Sequence, residues 1–318
     1  MHQQAILENI ARCPRCLSEI AFAPPAPPRC SNVECALSTT GFLQVDGQPV
    51  LVDFESSIFD PSAFDRNKGH VLARDYTGRS IGTRLRRFIT GTNSVAEKNG
   101  KEFLRRLLLF GERPHILIVG GGAIGDGAQC LYDNAEIDVI GTDVYASPVT
   151  CAVVDGHHLP FCSEAFHGVW IQAVLVHVLE PHAIAAEIYR VLKSDGLVYS
   201  EIPFMQQVHE DAYDFSRFSL SGHRWLFRQF EQLAAGSVGG AGTASVWSFR
   251  YLCRALGASN KLATLLSLAV FYLRFLDRFT KFRPNADAAS GTYFLGRKSQ
   301  RTLKPREMVR YYEQQAEP

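Results

Sequence analysis

The chain has 318 residues, enough for one large domain and a smaller one. It is 46% hydrophobic and 20% charged with a formal net charge of +1, which excludes a disordered chain and gives no overall field for nucleic acid. The first residues lack the long apolar stretch of a secretion signal, and no run of about 18 uncharged apolar residues is present to span a bilayer. A cytoplasmic, reducing location is therefore expected.

Four of the eight cysteines fall at Cys13, Cys16, Cys30 and Cys35, as "CPRC" and "CSNVEC". Two such knuckles provide the four soft, tetrahedral ligands that zinc prefers, and four protein ligands leave no open position for catalysis. Cys130, Cys151, Cys162 and Cys253 are scattered among apolar residues and read as small buried hydrophobes. "GFLQVDGQPVLVDF" follows as strand, turn at Asp46-Gly47, strand. Residues 11–54 thus resemble the short zinc ribbon that precedes many bacterial methyltransferase domains. A domain is drawn at 1–54, with a structural Zn2+.

Residues 55–97 read as a connector, in which Arg84, Arg86 and Arg87 form a solvated face. From residue 98 the pattern alternates. "KNGKEFLRRLLLF" has apolar residues at helical spacing, "HILIV" is a short buried strand, and "AEIDVIGTD", "CAVVD", "HGVWIQAV" and "GLVYSEIPF" provide four more. A helix over 181–193 separates the last two, with Pro181 at its start. Such alternation predicts a parallel sheet covered on both faces, with ligands at the carboxyl ends of its strands. Gly120, Gly122 and Gly125 form G-x-G-x-x-G just after "HILIV", and Asp143 ends the next strand. Glycines let backbone N–H groups approach a ligand, and the acid accepts from ribose hydroxyls. Taken alone, this pair serves NAD and S-adenosylmethionine equally.

The stretch after the third strand, "DGHHLPFCSEAFHGVWIQAVLVHVLEPHAIAAEIYRVLKSDGLVYSEIP", resembles the core of class I S-adenosylmethionine-dependent methyltransferases of type 11. The likeness runs from about 115 to 204 and continues in "YDFSRFSLSGHRWLF". It implies a Rossmann-like, seven-stranded, mostly parallel sheet over 98–300, preceded by the zinc ribbon, with a polar tail at 301–318. It further implies that Gly120 and Gly122 pass the methionine part of the cofactor and that Asp143 takes the ribose. Asp155 would accept from the adenine amino group with Gly156 beside the ring, and Gln172 would line the methyl-donor pocket. Ile118 and Val176 stand where the family usually has acids. Methyl transfer to oxygen or nitrogen often needs a base past the fourth or fifth strand. His177, Glu201, His209, Glu210, Asp211 and Asp214 qualify by position, and His209 is selected because histidine titrates near neutrality.

A helical insertion at about 245–283 is foreign to the minimal fold. "LATLLSLAVFYL" (262–273) is uncharged, and Arg250, Arg254, Lys261, Arg274, Arg278, Lys281 and Arg283 surround it against Asp277. A helix of that length is too short to span a bilayer. It reads either as a buried cap over the substrate pocket or as a basic amphipathic helix resting on an anionic membrane through 250–283. The leading function is methyl transfer from S-adenosylmethionine to a small-molecule, glycan or lipid-linked acceptor. A non-catalytic adaptor with the same fold and an NAD-dependent oxidoreductase are the alternatives.

Overall fold

The computed structural model describes residues 2–64, 93–279 and 282–314. Arg84, Arg86 and Arg87 lie outside the described residues. The chain opens with α1 (His2–Ile10), the short strands β1 (Ile20–Ala21) and β2 (Arg29–Cys30), α2 (Ala36–Thr40), and the hairpin β3 (Gln44–Val45) and β4 (Gln48–Leu51). Asp46 and Gly47 both have positive φ, 50° and 78°, which gives the tight turn its twist.

The second part runs α3 (Ser94–Leu107), β5 (His115–Val119), α4 (Gln129–Tyr132), β6 (Asp138–Asp143), β7 (Ala152–Val154), β8 (Phe166–Gln172), α5 (Pro181–Val191) and β9 (Leu192–Pro203). It continues with α6 (Leu220–Leu226), β10 (Phe230–Val238), α7 (Ala241–Ala255), α8 (Asn260–Leu266), α9 (Leu273–Leu276), α10 (Phe282–Asp287), β11 (Gly291–Lys298) and α11 (Pro305–Gln314). Strands β5 to β11 form the expected seven-stranded, mostly parallel sheet. Its order is β10-β11-β9-β8-β5-β6-β7, with β11 antiparallel to both of its neighbours.

The sheet does not stop there. β4 pairs in parallel with β7, Val50 opposite Val153 and Leu51 opposite Val154, so the hairpin extends the sheet to nine strands. Alternation alone does not disclose this pairing, because a two-sided apolar edge reads the same as a buried hairpin. The end of α1 and the turn after it add further ties. Arg12 N donates to Pro160 O at 2.8 Å and Cys162 N to Ile10 O at 2.9 Å. Leu7, Ala11, Cys13 and Leu51 share one core with Val154, Phe161 and Ile188. Removing one such side chain from water contributes about 1.5–3 kcal/mol.

On the other face, α3 starts at Asn93, whose side chain accepts from Ala96 N, and buries Phe103 and Leu107. Phe103 meets Trp170 edge-on at 5.6 Å, and Trp170 stacks on Tyr199 at 4.0 Å between centroids. These contacts fix α3, β8 and β9 against each other.

The continuous helix expected over 262–273 is not formed. α8 ends at Leu266, a 3-10 turn covers Ser267–Ala269, and α9 begins only at Leu273. The expectation of a buried cap also fails. Leu262, Leu265, Leu266 and Tyr272 are exposed, and no described residue of 241–290 lines the cavity at the carboxyl ends of the parallel strands. With the stretch broken into separate short helices, the apolar side chains do not share the single inward face of a longer helix.

Candidate functional site

A cavity of about 390 Å³ opens at the carboxyl ends of β5, β6, β8 and β9. This is where a parallel sheet places ligands, since β5 and β8 are neighbours reached by chain running in opposite directions across the sheet. Gly120 sits at φ +74°, and a Cβ there would lie 2.1 Å from Val174 Cγ2. The loop after it is pinned to β6: Gly121 N donates to Thr142 O at 2.8 Å. Gly122 N donates to Asp143 Oδ2 at 2.7 Å and Val144 N to Asp143 Oδ1 at 2.7 Å. Both Asp143 oxygens are thereby oriented, and a carboxylate oxygen can accept from more than one donor.

Asp155, at the exit of β7, is buried and accepts from Ser57 Oγ at 2.5 Å and from His157 N at 3.0 Å, with His157 Nδ1 at 2.6 Å. Burial acts to raise its pKa, but the hydrogen bonds from His157 and Ser57 outweigh it and hold the carboxyl below its ordinary value. Gly156 leaves room for Ile184, whose Cδ1 would lie 3.1 Å from a Cβ. Gln172 ends β8, donates to Asp126 O at 3.1 Å, and occupies the space a Gly125 Cβ would need.

The cavity wall thus contains Gly120, Asp143, Asp155, Gly156 and Gln172 together. Gly122 is tied to Asp143 just behind it. His209 lines a neighbouring shallow groove with Arg250, Tyr251 and Asn260 instead. Its ring lies 5.1 Å from that of His177, which does face the cavity alongside Glu210.

His177 and Glu201 carry the site's unusual chemistry. His177 Nδ1 lies 2.8 Å from Tyr213 O, an acceptor only, so Nδ1 carries the proton and Nε2 presents a lone pair. That Nε2 is buried and has no hydrogen-bond partner. Burial pushes the ring's pKa below its ordinary 6.5, against the raising effect of the Tyr213 carbonyl. Glu201, at the end of β9, accepts from Asn93 Nδ2 at 2.5 Å and Tyr199 OH at 2.9 Å. Burial raises its carboxyl to about 7, although these bonds and Gln172 pull the other way.

Several wall residues are not foreseen from the sequence. Ile58 and Phe59 reach the cavity from the connector, and Phe59 stacks on Tyr213 with centroids 6.1 Å apart. Asn93 and Tyr145 line it as well. The adjacent pair Ile58-Phe59 in the connector is the available signal, since a fully solvated linker has no use for adjacent large apolar residues.

Away from the cavity, the four cysteines converge. One sulfur from each of Cys13, Cys16, Cys30 and Cys35 lies within 4.8 Å of the others. Cys13 Sγ is 3.8 Å from Cys35 Sγ and Cys16 Sγ is 3.4 Å from Cys30 Sγ. Tetrahedral thiolates at about 2.3 Å from zinc stand about 3.8 Å apart, so the donor set fits that ion.

The strand order, the glycine loop and the acids that end β6 and follow β7 define a class I methyltransferase domain. Residues 119–200 match the family model described as a methyltransferase domain, of type 11, and they follow a cysteine cluster compatible with a zinc ribbon. Among solved structures, the chain is similar to an S-adenosylmethionine-dependent methyltransferase from Archaeoglobus fulgidus. That match has 12% identity and a TM-score of 0.43, covering 69% of this chain and 100% of that one. It is also similar to phosphoethanolamine N-methyltransferase 2 from Haemonchus contortus in complex with S-adenosyl-L-methionine. There the identity is 17% and the TM-score 0.43, over 71% of this chain and 60% of that one. No curated protein matches the chain.

Proposed function

We propose that this chain transfers the methyl group of S-adenosylmethionine to an oxygen or nitrogen of a small-molecule, glycan or lipid-linked acceptor. One observation carries the reading: Asp143 and Asp155 stand at the ends of adjacent strands, on one cavity that the glycine loop also enters. The donor set suits the cofactor's adenosine half. Asp143, with both oxygens oriented by backbone N–H groups, accepts from the ribose hydroxyls. Asp155 accepts from the adenine amino group, with Gly156 leaving the ring its space. When bound, the cofactor supplies an electrophilic methyl group on a positively charged sulfur.

The chain's own work is positioning and proton removal. Gln172 and the loop fix the donor end of the cavity. His177 takes the acceptor's proton at Nε2, because its tautomer leaves that lone pair unengaged and its lowered pKa keeps the ring neutral at pH 7. We therefore take His177 rather than His209 as the base; the His209 ring stands beside it, 5.1 Å away, in the adjoining groove. The four cysteines hold a structural Zn2+, and thiolate ligation fits a reducing, cytoplasmic setting.

Calorimetry tests the reading directly. S-adenosylmethionine and S-adenosylhomocysteine are expected to bind and NAD is not. Binding of NAD alone would overturn the proposal in favour of an oxidoreductase. Binding of none of the three would point to an adaptor that acts through its zinc ribbon.

A further inference from the structure

We infer that the exposed face of residues 250–279 docks on the surface of an anionic lipid bilayer. The first observation is apolar exposure. Leu262, Leu265, Leu266, Tyr272, Leu276 and Phe279 are all exposed, with Leu265 at 57% and Phe279 at 84%. Scattered single apolar residues need no explanation, but this many exposed within one short segment is a concentration of the kind that marks an interaction surface.

The second observation is charge. Arg250, Arg254, Lys261, Arg274 and Arg278 lie in the same segment, against the one acid Asp277. Asp277 accepts from Gly242 N at 2.7 Å, from Gly240 N at 3.0 Å and from Thr243 Oγ1 at 2.8 Å. Its carboxylate thus serves the start of α7, where a negative charge complements the helix dipole. The segment as a whole stays net positive. Arg274 sits over the Phe275 ring at 4.9 Å and Arg254 over Tyr251 at 5.2 Å, pairing cation with aromatic as a headgroup layer accommodates both. Net positive charge beside exposed leucine and phenylalanine is complementary to anionic headgroups over acyl chains.

Depth is bounded as well. No helix among the described residues is long and apolar enough to cross a membrane. The break between α8 and α9 keeps the apolar residues on short turns, suited to shallow burial at the boundary of headgroups and chains.

The face is also joined to the cavity. Tyr251 OH donates to Val208 O at 2.8 Å and Gln207 Nε2 to Ser248 Oγ at 3.0 Å, while Glu210 of the same loop lines the cavity wall. A lipid-borne acceptor would then approach from the bilayer side. That consequence rests on the methyl-transfer reading; the docking itself does not.

The test is flotation of the full chain with vesicles of phosphatidylcholine alone or mixed with phosphatidylglycerol. Binding to the anionic vesicles at low salt, reduced at high salt, is the expected result. Arg274→Glu with Arg278→Glu is expected to weaken partitioning at least about tenfold. Leu265→Asp with Phe279→Asp is expected to abolish it. An unchanged melting temperature and unchanged S-adenosylmethionine binding certify the fold of each variant. Failure to float with anionic vesicles would overturn the proposal, as would equal binding by the variants. So would a stable dimer of the free chain that the Asp variants dissolve, since a second copy would then own the face.

Discussion

Ser57 donates its hydroxyl hydrogen to Asp155 Oδ2 over 2.5 Å, joining residues 98 positions apart. The donor comes from the connector after the hairpin, the acceptor from the strand exit proposed to read adenine. The start of the connector is therefore part of the cavity wall: Ile58 and Phe59 line it, and Phe59 also stacks on Tyr213. We expect Ser57→Ala to weaken S-adenosylmethionine binding about fivefold, in line with one lost hydrogen bond of about 1 kcal/mol. Phe59→Ala should weaken it further. Calorimetry on both variants checks this, and unchanged affinity would separate the connector from the cofactor.

Asp143→Ala and Asp155→Ala should each reduce S-adenosylmethionine affinity at least about tenfold, because each removes a charged acceptor worth about 1.5–3 kcal/mol. Asp143→Ala has a second effect. Gly122 N and Val144 N lose their partner, so the loop should also show faster amide exchange. If neither substitution alters affinity, the adenosine half sits elsewhere.

His177 should titrate below its ordinary 6.5 when followed by NMR of the imidazole, because burial disfavours the charged ring. A base must be neutral to act, so turnover should fall on the acid side only below that value. His177→Gln should lower turnover about 100-fold or more while leaving cofactor affinity within about threefold. His209→Ala should have the smaller effect. The reverse order would return the base to His209.

Stability should depend on pH through two buried groups of opposite sign. Glu201 is raised from 4.5 to about 7, mainly by burial. Between those values the folded chain keeps a proton that the unfolded chain has released, so stability falls as pH rises through the window, by about 3 kcal/mol. His223 is fully buried between Ser200 Oγ at 2.9 Å and Thr292 Oγ1 at 3.0 Å, and burial lowers it from 6.5 to about 3. There the unfolded chain takes the proton first, so stability is lost as pH falls below 6.5. Glu201→Gln should flatten the loss toward neutral pH, and His223→Asn the loss toward acid. Denaturant melts across that range provide the readout.

Metal analysis should find one zinc per chain, and Cys30→Ser should remove it. Cys13, Cys30 and Cys35 belong to the same apolar core as Leu51, Phe161 and Ile188. Stripping zinc should therefore lower one shared melting transition rather than a separate early one. Two independent transitions would show that the ribbon folds on its own.

Sequence and structure agree where period and chemistry coincide. "HILIV" and "CAVVD" are apolar on both sides because β5 and β7 are covered on both faces, and Asp143 follows from the rule that ligands meet strand ends. The cysteine knuckles are legible because zinc constrains residue type and spacing together. Other features depend on long-range geometry. Nothing local marks Val50 and Leu51 as partners of Val153 and Val154, or Ser57 as the donor to Asp155. Lack of charge over 262–273 suggests one helix, yet periodicity cannot show where Ser267–Ala269 tightens the chain and ends it. His177 and His209 share one side-chain chemistry, so sequence cannot rank them; the fold does, because His177 lines the cavity and His209 lines the neighbouring groove.

The pairing of β4 with β7 bears on how the protein is made. Val50 and Leu51 leave the ribosome about a hundred residues ahead of Val153 and Val154, the strand they bind. Until then, the hairpin has an open flank. β7, in turn, is only three residues long and would be a bare rim without β4. Each guards the other from pairing with a stranger. Cutting the chain at residue 54 to obtain a minimal catalytic fragment would not trim an accessory; it would expose a sheet margin and invite aggregation.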